Sequence, residues 1–169
     1  MKVNVPYEDA VDLLDADHKA VKKMFIDYGA LCEDGAPPEV RKPLAQKICA
    51  ALSVHAQMEE DIFYPAVSKA IADDSLMERA LQEHAQAKTA IAQITKMGAG
   101  DKGFDDTVKK LGKLIDAHVL EEREQIFLKA RMSALDLRSL AVPLYARKKQ
   151  LDKTPKASAP GTSGKKVPA

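Results

Sequence analysis

The amino-acid sequence predicts an all-α protein: an up-down-up-down four-helix bundle with an additional short C-terminal helix and a disordered tail. Apolar residues recur every three or four positions through four long segments, as they do along the buried side of a helix. The 169 residues are rich in Ala, Leu, Lys and Glu and contain no Trp, a composition that favours helices over strands. This length suits one domain with its own hydrophobic core.

An internal repeat supports the bundle. His18 and His84 are 66 residues apart, and His55 and His118 are 63 residues apart. Each half contains a helix with one histidine, a loop, and a helix with a histidine followed four positions later by a glutamate. Two helical hairpins of this kind pack as a four-helix bundle, and their pseudo-twofold relation brings these side chains to one level.

The first predicted helix covers residues 7–31 and the second begins near Pro38, where a proline suits the first turn. The inward-facing positions of the first helix alternate in steps of four and three: Tyr7, Val11, Leu14, His18, Val21, Phe25 and Tyr28. Those of the second helix are Leu44, Ile48, Ala51, Leu52, His55, Glu59, Ile62 and Ala66. Pro65 cannot donate to the helical ladder, so we expect it to kink or end this helix, with a further turn reaching Ile71.

The stretch 73–75, Asp-Asp-Ser, predicts a helix N-cap, and Gly98 marks the end of the helix that follows. The inward positions of this third helix are Leu76, Ala80, Leu81, His84, Ala87, Ile91 and Ile94. Those of the fourth are Phe104, Val108, Leu111, Leu114, Ile115, His118, Glu122 and Ile126. Both helices therefore have one apolar face that can pack in the bundle.

The C-terminal part of the chain changes in character. Residues 133–136 predict a capping box that opens a shorter helix, interrupted by Pro143 and ending near Leu151. Beyond it, Lys, Pro, Ala, Ser, Gly and Thr follow without periodicity, which is typical of disorder. The predicted organisation is a bundle over 1–131, a C-terminal helix over 132–151 and a basic flexible tail over 152–169.

Several classes of protein are disfavoured by the sequence. No apolar run approaches the roughly 20 residues that span a bilayer, and the N-terminus lacks the apolar region of a signal peptide, so we expect a cytoplasmic protein. Residues 147–169 contain seven basic side chains and one acidic side chain. Because this stretch has no interleaved aromatics, we interpret it as a solvated tail and predict no nucleic-acid partner. Nucleophile elbows, P-loops and dinucleotide fingerprints are also absent.

Two cysteines, Cys32 and Cys49, are present. If the first two helices run antiparallel with His18 facing His55, the cysteines lie about 12 Å apart along the bundle axis. A disulfide requires Cα atoms within about 7 Å, so we predict two free thiols.

The chemistry-bearing pattern is a histidine followed four residues later by a glutamate, a spacing that puts both side chains on one helical face. It occurs twice, and the two remaining histidines of the chain also occupy inward positions. The candidate metal ligands are His18, His55, Glu59, His84, His118 and Glu122. The alternative is a polar layer closed by His–Glu hydrogen bonds alone. A buried unpaired carboxylate costs several kcal/mol, however, and a metal pair supplies the missing positive charge.

Imidazoles and carboxylates without thiolates suit Fe, Mn or Zn. Two carboxylates placed to bridge two ions indicate a dinuclear site. Six-coordinate ions at such a site keep about two positions for water, O₂, peroxide or nitric oxide, and open positions characterise a reactive site.

The stretch 55–65, His-x-x-x-Glu-Glu-x-x-Phe-Tyr-Pro, resembles the signature of the haemerythrin-like HHE cation-binding domain family. The resemblance extends over about residues 7–131. It implies that the four histidines are ligands and that Glu59 and Glu122 are bridging carboxylates. It also implies two Fe ions with a bridging oxo or hydroxo group, with Mn or Zn as alternatives.

Two positions depart from the oxygen-carrying haemerythrins, which have a further ligand histidine where this chain has Lys88 and a ligand aspartate where it has Arg123. One nitrogen fewer implies a more open and symmetric site, which favours exchangeable positions over pure O₂ carriage. Lys88 is interpreted either as a donor to a bound oxygen species or, preferably, as a side chain that extends to solvent.

Other residues near the motif receive weaker interpretations. Glu60 and Glu121 point about 100° away from their neighbouring ligands and are assigned to the surface or to the hydrogen-bonding layer behind the ligands. Asp15, one turn before His18, is a candidate partner for that imidazole. Tyr28 and Tyr64 are interpreted as packing residues.

The expected function is therefore that of a non-haem di-iron protein that binds O₂, peroxide or nitric oxide, with catalase-like peroxide turnover as a possible activity. The alternatives are an iron- or oxygen-sensing module and an iron buffer without catalysis. Peroxide consumption by the iron-loaded protein separates the first from the others. The expected partner is a small diatomic or peroxide ligand, and no membrane partner is expected.

Overall fold

The computed structural model describes residues 4–153, and within this range the secondary structure is entirely helical, which confirms the predicted fold class. Two of the long helices contain a wider, π-helical segment. The elements are α1 (Ala10–Glu33), α2 (Pro38–Met58), a first π segment (Glu59–Phe63), α3 (Tyr64–Ile71), α4 (Asp74–Lys96), α5 (Phe104–Glu121), a second π segment (Glu122–Phe127), α6 (Leu128–Met132) and α7 (Leu137–Lys153).

Four rods form the bundle: α1, α2 continued through α3, α4, and α5 continued through α6. In each of the two composite rods the π segment joins the helices without a break. α1 packs against α2 and α5, and α4 packs against the same two helices. Short loops connect the rods, so that neighbouring rods run antiparallel. α7 lies outside this set and packs mainly on α1 and α2.

Aspartates cap three of the helices. Asp9 accepts a hydrogen bond from the Asp12 amide at 2.9 Å, so α1 begins at Ala10 and Tyr7 precedes it. Asp73 caps α4 as the sequence predicts. α7 differs from the prediction: its first turn is capped by Asp136, which accepts from the Ser139 amide at 3.0 Å, and not by a box that begins at Ser133.

Pro65 and Pro143 are both accommodated without a break in the helix. Pro65 does not end its helix, because it follows directly on the first π segment, in which the Tyr64 amide donates to the Glu59 carbonyl. The wider turn relieves the clash between a proline ring and the carbonyl four residues earlier. Pro143 lies on the exposed side of α7, and the helix continues through it to Lys153.

Two apolar clusters fill the bundle on either side of a polar layer. The cluster beside α7 includes Leu13, Leu14, Met58, Phe63, Val67, Ile126 and Leu144, all almost fully buried. The cluster at the other end includes Val21, Tyr28, Ile48, Leu52, Ile94, Phe104 and Leu111. Together they bury enough apolar surface to hold a costly polar layer between them.

The remaining expectations concern the termini, the thiols and the membrane. Residues 152 and 153 belong to α7, and the rest of the predicted tail, 154–169, lies outside the described residues. Cys32 and Cys49 are free thiols, as predicted. Among the helices of residues 4–153, none combines the length and the apolar character required to cross a bilayer.

Candidate metal centre

The polar layer contains all six side chains that the sequence singles out. His18 comes from α1, His55 from α2, His84 from α4 and His118 from α5. Glu59 and Glu122 are the first residues of the two π segments. The two glutamates are 0% and 1% exposed, and each histidine is at most 9% exposed. The structure therefore brings the six residues together in the interior of the bundle.

The six residues form two overlapping groups of four. The first subsite comprises His18, His55, Glu59 and Glu122, and the second subsite comprises Glu59, His84, His118 and Glu122. Within each group the potential ligand atoms lie within 4.8 Å of one another. The Nε2 atoms of the first histidine pair are 3.0 Å apart, and those of the second pair are 3.2 Å apart.

Both glutamates are common to the two subsites. Glu59 Oε1 lies 3.0 Å from His55 Nε2 and 3.3 Å from His84 Nε2. Glu122 Oε1 lies 3.1 Å from His18 Nε2, while its Oε2 lies 3.4 Å from His118 Nε2. Each carboxylate thus faces one histidine of each subsite, which is the arrangement a bridging carboxylate requires.

The hydrogen bonding of the glutamates is incomplete. Among residues 4–153, no donor with hydrogen-bond geometry reaches either oxygen of Glu59 or Oε1 of Glu122, although all three atoms are buried. A buried carboxylate without partners is strongly destabilising, so these atoms need a cation. The donor set, imidazole nitrogen with carboxylate oxygen, is one that Fe, Mn and Zn accept. The residues present therefore fit a metal pair.

The electrostatics of the layer also favour cations. Burial lowers the pKa of His55, but the charges of Glu59 and Asp17 outweigh burial and raise it to about 10. His118 behaves similarly beside Glu122, with a pKa of about 9. Burial raises the pKa of Glu122, yet the neighbouring imidazoles of His118 and His18 hold it well below its ordinary value. In the absence of metal, protons on the imidazoles provide part of the positive charge that the carboxylates require.

Behind the ligands, three of the four imidazoles contact a carboxylate through Nδ1. His55 Nδ1 lies 3.1 Å from Asp17, and His84 Nδ1 lies 3.2 Å from Glu60. His118 Nδ1 lies 3.1 Å from Glu83. A carboxylate at Nδ1 fixes the ring orientation and leaves Nε2 free to coordinate a metal. Asp17, Glu60 and Glu83 are called the outer carboxylates below.

His18 has no such partner within the described chain, because its Nδ1 is buried without a hydrogen bond. Asp15, the expected partner, instead forms ion pairs with Lys19 at 3.2 Å and Arg123 at 3.3 Å. Glu121 bonds to Arg79 at 2.5 Å. Of the two glutamates assigned to the surface or to the layer behind the ligands, only Glu60 bonds directly to a candidate ligand.

Tyr64 belongs to the site, contrary to its interpretation as a packing residue. It is 4% exposed, and its hydroxyl donates to Glu122 Oε2 at 2.5 Å. The hydroxyl oxygen of Tyr64 also lies 3.2 Å from His84 Nε2 and 3.4 Å from His118 Nε2. In a regular α-helix, Tyr64 would point about 140° away from Glu59. The π segment turns less per residue, and this brings the two side chains to one face.

An apolar cavity of about 40 Å³ adjoins the four imidazoles. Its lining includes Val21, Leu52, Ala87, Ile91 and Ile115 from the four bundle rods. Lys88 lies at this cavity but is half exposed, and its ammonium donates to Glu60 at 2.7 Å. It therefore acts on His84 through an outer carboxylate and extends to solvent, in agreement with the preferred interpretation. The cavity has room for a diatomic-sized molecule.

Known proteins resemble this chain in sequence and in fold. A curated relative, a DNA nickase from Nostoc sp., is 26% identical over 120 residues, which are 71% of this chain and 33% of that protein. The chain thus spans about a third of the length of this relative. A solved structure of a hemerythrin HHE cation binding domain-containing protein from Mycobacterium kansasii, a homologue of Rv2633c, superposes with a TM-score of 0.69. It is 23% identical, and the match covers 85% of this chain and 86% of that one.

The family model for the Hemerythrin HHE cation binding domain matches residues 9–130. This range contains three of the four rods, all but the last two residues of the fourth, and the six residues of the polar layer. Such a match covers most of the chain and agrees with the fold of the solved relative. The protein belongs to the hemerythrin HHE cation-binding domain family.

Proposed function

We propose that this protein is a non-haem di-iron protein that binds O₂, peroxide or nitric oxide at an iron pair held by six side chains. His18 and His55 would hold one iron, His84 and His118 the other, and Glu59 and Glu122 would bridge them. The single observation that carries the proposal is that the two buried glutamates are common to both four-residue groups. Manganese and zinc accept the same donors, so the choice of metal needs a direct measurement.

An iron pair at this site would supply reversible two-electron chemistry toward dioxygen species. The residues of the chain determine what can reach it. The surface of the cavity beside the imidazoles is mainly apolar, and its volume of about 40 Å³ admits a diatomic molecule or peroxide but no large anion. Four histidines and two glutamates leave coordination positions for such a ligand if each ion is six-coordinate. These features favour a small, uncharged or weakly charged ligand.

Tyr64 gives the second subsite a proton donor, whereas its counterpart in the repeat, Phe127, has no hydroxyl to give the first subsite. Its buried hydroxyl already donates to Glu122, and burial together with nearby carboxylates raises its pKa well above the ordinary value. The hydroxyl therefore keeps its proton in the metal-free site and can donate a hydrogen bond to a group bound there. Phe127, which occupies the corresponding place beside His18, stacks on that ring with centroids 5.7 Å apart.

The proposal is tested by loading the full chain with iron and measuring nitric oxide binding and peroxide consumption. The proposed function predicts a nitric oxide adduct in the reduced protein, and peroxide turnover that is lost in His55→Ala. Lys129→Met, which removes a surface ion pair with Asp73, is the control and should change neither. Iron-loaded protein that binds no small ligand would overturn the proposal. Iron binding with ligand binding but without peroxide turnover would favour the sensing alternative, and neither ligand nor turnover would favour buffering.

A further inference from the structure

The C-terminal helix α7 lies beyond residues 9–130, the range matched by the family model, but it packs against the part of the bundle that contains the first subsite. Leu137, Ala141 and Leu144 are buried against the bundle. The Tyr145 ring meets Tyr7 edge-on, with centroids 6.2 Å apart. α7 is therefore an integral part of this fold.

Two consecutive cations of α7 reach residues next to candidate ligands. The Lys148 ammonium donates to Asp17 Oδ1, and the other oxygen of Asp17 lies 3.1 Å from His55 Nδ1. Arg147 contacts Asp61 Oδ2 through Nε at 3.1 Å and through a terminal nitrogen at 3.0 Å. Asp61 belongs to the first π segment, two residues after Glu59. One turn of α7 thus fixes both the outer carboxylate of His55 and the segment that carries Glu59.

Burial strengthens the contact between Lys148 and Asp17. The side chains are 24% and 14% exposed, so solvent screens this pair less than a surface ion pair. Asp17 is thus held between the Lys148 ammonium and the His55 imidazole, one oxygen facing each.

Within residues 4–153, no ion pair of α7 reaches an outer carboxylate of the second subsite, where the lysine behind a ligand is Lys88 of α4, which donates to Glu60 at 2.7 Å. The repeat places Glu83 where the first half has Asp17, and Glu83 lies 3.1 Å from His118 Nδ1, but none of the ion pairs found within residues 4–153 joins Glu83 to α7. The counterpart of Asp61 in the second π segment is Glu124, which is exposed. The ion pairs that α7 forms beside the polar layer, Lys148 with Asp17 and Arg147 with Asp61, therefore both involve the first half of the repeat.

We infer that α7 braces the first subsite, with Lys148 as the positioning residue for His55. This inference rests on the proposed function, because it assumes that both subsites bind metal. Removal of the brace should weaken metal binding at the first subsite and leave the second unchanged. By reciprocity, metal in the first subsite should hold α7 more firmly on the bundle. A partner that displaces α7 would lower the metal affinity of the first subsite.

The first experiment is an anaerobic Fe²⁺ titration of the full chain, in which the two binding steps are resolved. Lys148→Met should weaken one step by up to about tenfold, the lower end of the cost of losing a residue bonded to a metal ligand, because Lys148 acts on His55 through Asp17. Lys148→Arg should restore it, because it keeps a cation opposite Asp17. Lys129→Met is the control. It removes the ion pair between Lys129 and Asp73 and should leave both binding steps unchanged.

The outcomes separate the brace from the proposed function. Wild-type protein without two Fe²⁺ steps would contradict the proposed di-iron site. Two steps in the wild type that Lys148→Met leaves unchanged, or weakens equally, would contradict the brace alone.

A second experiment does not depend on a variant of α7. Amide hydrogen exchange of residues 137–153 is measured with and without Fe²⁺ in His18→Ala, which breaks the first subsite, and in His84→Ala, its counterpart in the repeat. Fe²⁺ should slow exchange in α7 more strongly in His84→Ala than in His18→Ala. Equal protection of α7 in both variants would overturn the inference.

Discussion

Tyr64 and Phe127 are 63 residues apart, the spacing of the internal repeat, but only Tyr64 places a hydroxyl among the candidate ligands. Phe127 fills the corresponding place beside His18 with an apolar ring. The repeat thus generates two similar subsites, and this pair of residues makes them chemically different. The second subsite has a buried hydroxyl that can donate a proton, and the first has an apolar ring stacked on His18.

Replacement of this hydroxyl tests its role. Tyr64→Phe removes a hydrogen bond to a buried carboxylate, which should cost about 1.5–3 kcal/mol of unfolding free energy in the metal-free protein. It should also alter the affinity or the optical spectrum of one of two bound irons. Both effects are measured by denaturant unfolding and by Fe²⁺ titration.

Tyr28→Phe is the matched control, because the Tyr28 hydroxyl donates to Asp105 at 2.5 Å and Tyr28 packs in the apolar cluster at the end of the bundle away from α7. It should also destabilise the fold but leave both iron steps unchanged. An unchanged iron site in Tyr64→Phe would show that the hydroxyl serves stability alone.

The shared glutamates should behave differently from the histidines. Glu59→Gln and Glu122→Gln each remove a negative charge that serves both subsites, so each should reduce metal content from two ions per chain to fewer than one. His18→Ala removes a ligand of one subsite and should leave about one ion. Metal analysis of the gel-filtered proteins compares them, and loss of only one ion in Glu59→Gln would argue against a bridging carboxylate.

Metal binding should release protons. The pKa values of about 10 for His55 and about 9 for His118 exceed the ordinary 6.5, so both imidazoles are protonated at pH 7.5 in the metal-free fold. Coordination needs their lone pairs, and about two protons should leave per chain loaded. Calorimetry in buffers of different ionisation enthalpy measures this number. A heat that is independent of the buffer would contradict the prediction.

The same shifts predict how the stability of the metal-free protein depends on pH. Because the folded pKa values of His55 and His118 are raised, their contribution is complete below about pH 6.5 and is lost as the pH rises through about 9 to 10. Unfolding free energy should therefore fall over this range. His55→Gln should show a smaller decrease, and thermal unfolding at several pH values compares the two.

The apolar cavity can be closed without touching a ligand. Ala87→Leu adds volume at a buried alanine that lines it, so small-ligand binding should slow at least several-fold while iron content stays at the wild-type level. Ala90→Leu, at a buried alanine of the same helix that is not part of the lining, controls for overpacking of about 1–3 kcal/mol. Stopped-flow nitric oxide binding distinguishes them, and equal rates in the two variants would exclude this cavity as the route.

Local rules account for what the sequence predicts well. His55 and Glu59 are one helical turn apart, and the repeat places His118 and Glu122 in the same relation, so their convergence follows from periodicity. Asp73 was recognised as a cap because its short side chain precedes an apolar run. These features depend on neighbours along the chain.

Residues that the sequence did not reveal depend on longer-range or irregular geometry. Tyr64 reaches the ligands only because the π segment changes the helical phase. The same segment accommodates Pro65, at which the sequence predicts a kink or an end of the helix. Lys148 is 131 residues from Asp17 in sequence, and no local pattern links them. The repeat does contain one usable signal, since it aligns Tyr64 with Phe127 and so indicates that the two halves differ.

The central claim is that Glu59 and Glu122 join two metal subsites into one centre. Iron analysis of the anaerobically loaded, air-oxidised chain, together with its near-ultraviolet spectrum, tests this claim most directly. The account predicts two irons per chain and the absorption band of an oxygen-bridged iron pair. One iron per chain, or two irons without that band, would contradict it.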